Sequence, residues 1–122
     1  METKVLKAGL IKARHPLPVD LYVLDAVEDV HAYSEIERRI KEWLHAHVIN
    51  TDLDHVIIYM TGLGTVVSSF LKMWTWACFA HTMPLLDVAH YDRDTDDYNM
   101  QPWNIMMSLR VGWRLLGQAV CH

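Results

Sequence analysis

Cysteine is scarce: the 122 residues include two, Cys78 and Cys121, far apart and without a CxxC spacing. That excludes a disulfide framework and a zinc knuckle, and it fits a reducing compartment. A basic surplus is missing as well. The formal charge is −4 at pH 7, whereas proteins that coat nucleic acid or anionic membrane through bulk electrostatics are clearly positive. Long nucleic acid is therefore not an expected partner, and a polyanionic ligand must meet a local site. The most apolar run, Val66 to Phe79, is broken by Ser68, Ser69 and Lys72 and is too short to span a bilayer. The opening Met-Glu-Thr-Lys-Val-Leu-Lys lacks the apolar stretch of a secretion signal. A cytoplasmic protein with no membrane partner is expected. Tracts rich in Ser, Gly and Pro are absent too, so residues 1–122 are expected to fold as one domain.

What is present is a large apolar and aromatic load: 52% hydrophobic residues, with five Trp, five Tyr and seven Met. That exceeds the usual need of one small core and points to a subunit interface. Val5 to Ala13 and Val19 to Leu24 read as strands, separated by His15-Pro16-Leu17-Pro18. Ser34-Glu35-Ile36-Glu37 has the form of a capping box. From there Ile36, Ile40, Trp43, Leu44, His47 and Val48 recur at helical spacing, and Asn50-Thr51-Asp52 closes the helix. His55 to Met60 is a continuous β-branched and aromatic run, as in an interior parallel strand. A second helix opens at Gly64 or Thr65 and runs through Ala80, apolar nearly all round except for Ser68, Lys72 and Thr75. Pro84 to His90 gives another strand, and Asp92 to Asp97 turns the chain back through Tyr98 to Met100, a hairpin over about 84–100. Gln101-Pro102 is expected to start a last helix. Such alternation implies an α/β fold with a mostly parallel sheet and flanking helices. Asp25, the turn at Thr61 and the stretch from Tyr91 to Arg93 should then emerge at one carboxyl edge, where open α/β sheets bind ligands.

The strongest local signal is Thr61-Gly62-Leu63-Gly64-Thr65, between the best strand and the most apolar helix. Glycines let the backbone approach a ligand closely, and the free N–H groups of the helix start attract an anion such as phosphate. The pattern is neither GxGxxG nor a P-loop, and a plain tight turn explains it equally well. Lys72, on the stripe of Ser68, either reaches back toward this turn or keeps one helix face wet. Arg93, among acidic neighbours, is a candidate phosphate contact. Asp92, Asp94 and Asp96 resemble the start of a calcium loop, but Trp103 stands where the bidentate Glu belongs and the central Gly is missing. His45 and His47, two apart on a helix, point in nearly opposite directions. Neither a metal nor a cofactor is expected.

The run from His55 to Gln101, with TGLGT after the strand and His90-Tyr91-Asp92-Arg93-Asp94-Thr95 ending the next, resembles small CRISPR-associated proteins of the Rossmann-like CARF type. The resemblance implies a homodimer that binds cyclic oligoadenylate in antiviral signalling. A chain with no room for an effector domain resembles the stand-alone ring nucleases, in which a ribose 2′-hydroxyl attacks its own phosphodiester without metal. On that pattern Thr61, Gly62, Leu63 and Gly64 cradle phosphate, with Asp25 and Tyr91 as further ligand contacts. Thr65, Ser68 and Arg93 are the implied catalytic residues. A non-catalytic nucleotide sensor or protein-interaction module is the alternative.

Overall fold

A computed structural model describes residues 3–12, 17–60 and 64–103. In chain order the elements are β1 (Val5–Ile11), β2 (Leu21–Leu24), α1 (Tyr33–His47), β3 (His55–Tyr59), α2 (Gly64–Ala80), β4 (Leu85–Asp92) and β5 (Asp97–Pro102). The sheet runs β2-β1-β3-β4-β5, parallel throughout except for β5, which pairs antiparallel with β4 as a hairpin. This is the expected mostly parallel α/β architecture, a small Rossmann-like fold.

The connections β2-α1-β3 and β3-α2-β4 both advance in the same direction along the sheet, and right-handed crossovers then lay both helices on one face. The two helices touch there, through Lys72 and Glu37 and through the rings of His45 and Trp76. Alternation along the strands sends Ala8, Leu10, Val56, Ile58, Leu86 and Val88 into this layer against Ile36, Ile40, Leu44, Phe70 and Trp74, all essentially inaccessible. Burial of each large side chain stabilises the fold by about 1.5–3 kcal/mol. The other face carries Val5, Lys7, His55, Ile57, Leu85 and Asp87. Among the described residues no helix covers it. Across its lower half His55 Nε2 and an Asp87 carboxylate oxygen approach to 2.9 Å.

Several local expectations change. The capping box does not form: Ser34 lies inside α1, and the N-cap Ala32 offers no side chain. Asp29 organises the entry instead, its carboxylate accepting from the His31 N–H at 2.9 Å and its carbonyl from the Ala32 N–H at 3.2 Å. The end of α1 follows the sequence, with Asn50 in the left-handed region at φ 59° and the Thr51 hydroxyl donating to the Val48 carbonyl. His47 is exposed, tilted against Trp43, and so leaves the apolar face. β1 stops at Ile11, and β2 begins at Leu21, because Val19 N–H turns back to the Leu17 carbonyl. Gln101 and Pro102 do not start a helix: they extend β5, opposite Val88 and Asp87. Proline is tolerated there because β5 is an edge strand. The rest of the segment expected to form a last helix lies outside the described residues, as does Cys121.

Candidate functional site

Parallel pairing of β2, β1, β3 and β4 brings their carboxyl ends to one edge. At that edge the chain leaves β1 toward β2 and leaves β3 toward β4, in opposite lateral directions. Neighbouring parallel strands whose connections diverge leave a crevice between them, the usual ligand position in open α/β sheets. Here it lies between β1 and β3. β3 ends at this point and α2 starts shortly after it, while Thr61, Gly62 and Leu63 lie outside the described residues.

The next residues are described. α2 starts at Gly64, which is exposed, and a Cβ built there meets nothing within 4 Å. The backbone of Gly64 is outside the left-handed region, so any residue could adopt it. Space at the helix start, and not conformational freedom, is what glycine supplies at this position. The Ser68 and Ser69 hydroxyls both donate to the Thr65 carbonyl, at 3.1 and 2.7 Å. Thr65's own hydroxyl oxygen is buried and has no hydrogen-bond partner among the described residues. A buried hydroxyl without a partner costs about 1–3 kcal/mol.

Sequence reasoning passed over Lys12. Lys12 follows β1 directly, on the strand that pairs with β3. Its side chain is exposed, and its backbone N–H donates to the Leu24 carbonyl at 3.1 Å, which fixes the chain at the end of β1. The signal was available: this is the last residue before the connection that contains His15-Pro16-Leu17-Pro18.

The remaining expected residues spread along the edge. Asp25 follows β2, two strands from β3 and so about 10 Å away at the usual strand spacing. It lines a separate hollow of about 480 Å³ with Glu28, Asp29, Glu35 and Arg39. Arg39 is the cation there, and it donates to the Ala26 carbonyl at 2.9 Å. A hollow of that composition repels phosphate, and Asp25 is not brought to the crevice.

Arg93 sits exposed at the β4–β5 turn with no ion pair among the described residues. Three of the four aspartates around it are engaged within the hairpin. Asp92 accepts from the Asp94 N–H and the Asn99 amide, Asp96 from the Tyr91 hydroxyl, and Asp97 from the Tyr98 N–H. Lys72 does not reach the turn: its ammonium pairs with Glu37 of α1 at 2.6 Å. No group of three or more metal-ligating side chains occurs among the described residues, and no described helix is long and apolar enough to cross a membrane.

The elements define a small Rossmann-like α/β fold in which α2 follows β3 at the switch point of the sheet. Compared with known proteins, the chain matches no family model, no curated protein and no solved structure.

Proposed function

We propose that this domain binds a cyclic oligoadenylate at the crevice between β1 and β3, as a homodimer in CRISPR-associated antiviral signalling. The observation that carries the reading is the coincidence of three features at one point. The sheet's switch point falls there, α2 begins there with open space at Gly64, and the exposed Lys12 follows the end of β1, the strand beside β3. Helix N–H groups and a flexible ammonium together suit a phosphodiester better than an uncharged ligand. The Thr65 hydroxyl, without a partner among the described residues, is a further donor for it.

The same reading includes scission. Attack by the 2′-hydroxyl oxygen forms a new O2′–P bond and breaks the P–O5′ bond, leaving a 2′,3′-cyclic phosphate. The 2′-hydroxyl proton departs and O5′ gains one. The protein's part is to hold the attacking and leaving oxygens in line and to offset charge on the phosphoryl oxygens. Thr65 and Ser68 are the nearby hydroxyls and Arg93 the mobile cation for that role.

The alternative reading, sensing without turnover, is favoured by one observation: the Ser68 hydroxyl is already committed to the Thr65 carbonyl. Calorimetric titration with cyclic tetra-adenylate, followed by incubation with and without chelator, separates these outcomes. Binding that falls at least about tenfold in Lys12→Ala, a change of ~1.4 kcal/mol, is expected. Linear products in both incubations establish turnover, and bound but intact ligand establishes sensing. Absence of any binding by the wild-type protein contradicts the proposal.

A further inference from the structure

Four of the chain's five tyrosines gather on the sheet face opposite the helices, in its carboxyl half. The register shows how. Tyr22, Gly9, Tyr59, Ala89 and Met100 form one row across the five strands, and the pair Tyr91 and Tyr98 lies one step nearer the carboxyl edge. The small residues Gly9 and Ala89 flank Tyr59. Gly9 is required by this packing, because a Cβ there would lie 2.6 Å from the Tyr22 ring.

The rings form a graded series. Tyr59 is buried, Tyr98 half-buried and Tyr91 52% exposed. The centroids of Tyr59 and Tyr98 are 4.9 Å apart in an edge-on arrangement, and those of Tyr98 and Tyr91 are 5.6 Å apart, tilted. Tyr91 is also held at its far end, where the hydroxyl donates to Asp96 at 2.5 Å. A ring braced by a neighbour and by its own hydroxyl, with an open side, is a preorganised stacking surface.

We infer that Tyr91, braced by Tyr98 and Asp96, is the stacking platform for a nucleobase of the ligand whose phosphate meets the start of α2. The inference rests on the nucleotide reading and adds the base to it. The charge pattern agrees. Asp92, Asp94, Asp96 and Asp97 make the hairpin acidic apart from Arg93, and a neutral base with exocyclic amino groups is compatible with carboxylate neighbours. Phosphate thus belongs on the β1–β3 side and the base on the β4–β5 side. Stacking on one aromatic ring is sequence-tolerant, and its removal lowers affinity between about fivefold and about a hundredfold.

The test uses cyclic tetra-adenylate with one adenine replaced by 2-aminopurine, whose emission falls when the base stacks. Affinity is read by calorimetry on the full chain, as wild type, Tyr91→Phe and Tyr91→Leu. Emission is expected to fall on binding to wild type and Tyr91→Phe. In Tyr91→Leu, which keeps apolar bulk on the hairpin, the emission change should disappear and affinity should drop at least about fivefold. Binding without an emission change, or an unchanged response in Tyr91→Leu, overturns the stacking inference and leaves the nucleotide reading standing. No binding of the probe by wild type overturns both. A role limited to bracing the hairpin lowers melting temperature without moving the emission change, so that result also counts against the platform.

Discussion

Hydroxyls and a single thiol show how position decides chemistry in this chain. Ser68, Ser69 and Thr65 look equivalent in sequence as donors near a glycine turn. In the structure two of them donate to one backbone carbonyl, and the Thr65 hydroxyl has no partner among the described residues. Back-bonding of that kind is ordinary for Ser in a helix and depends on the helix being formed, so it was not legible from spacing. Cys78 is a comparable case. It lies on the buried side of α2, and burial pushes its thiol up to about 11, against a smaller opposing effect of its hydrogen bond with Trp74. The thiolate is the reactive form, so the folded protein should hold Cys78 unreactive until the pH nears that value. In a Cys121→Ser background at pH 8, a disulfide thiol reagent should modify Cys78 only after denaturant is added. Modification of the native protein at the rate of a free cysteine contradicts the placement.

α2 is the element whose bounds followed most directly from sequence, Gly64 to Ala80. Glycine ends the strand signal and a long apolar run starts at once, so local chemistry and tertiary burial agree. α1 shows the opposite. Its Ser-x-x-Glu pattern satisfied a local rule, yet the helix begins one residue before Ser34, because Asp29 and Ala32 settle the chain's path first. β5 differs again: pairing to β4 draws Gln101 and Pro102 into the sheet, a long-range contact that no local pattern encodes.

Lys72 settles a question that sequence left open. Its ammonium joins α2 to α1 through Glu37, so it belongs to helix packing and not to the crevice. An ion pair with one partner largely exposed contributes under about 1 kcal/mol. Lys72→Met should therefore lower stability by no more than that in a denaturant titration and leave cyclic tetra-adenylate affinity unchanged. A tenfold loss of affinity in this variant shows that the ammonium reaches the ligand.

At the scale of the whole molecule, alternating strands and helices were enough to foresee a mostly parallel sheet with a terminal hairpin. The lateral order was not legible, since it depends on which way each connection crosses. That order decides the site: it separates Asp25 from the end of β3 by two strand spacings and brings the end of β1 beside it. Asp25 and Arg93 therefore lie along one edge, after β2 and after β4, without meeting at one point.

The central claim is that an anion is held at the start of α2, and Gly64→Asp addresses it most directly. A Cβ at Gly64 has open space and an ordinary backbone conformation, so the fold should accept the change. A carboxylate in the first turn favours the helix by about 0.3–1 kcal/mol and at the same time opposes a bound phosphate. Thermal melting and calorimetry with cyclic tetra-adenylate should show an equal or higher melting temperature together with affinity lowered at least about tenfold, or ~1.4 kcal/mol. Equal affinity in wild type and a fully folded Gly64→Asp would place the anion elsewhere and contradict the account.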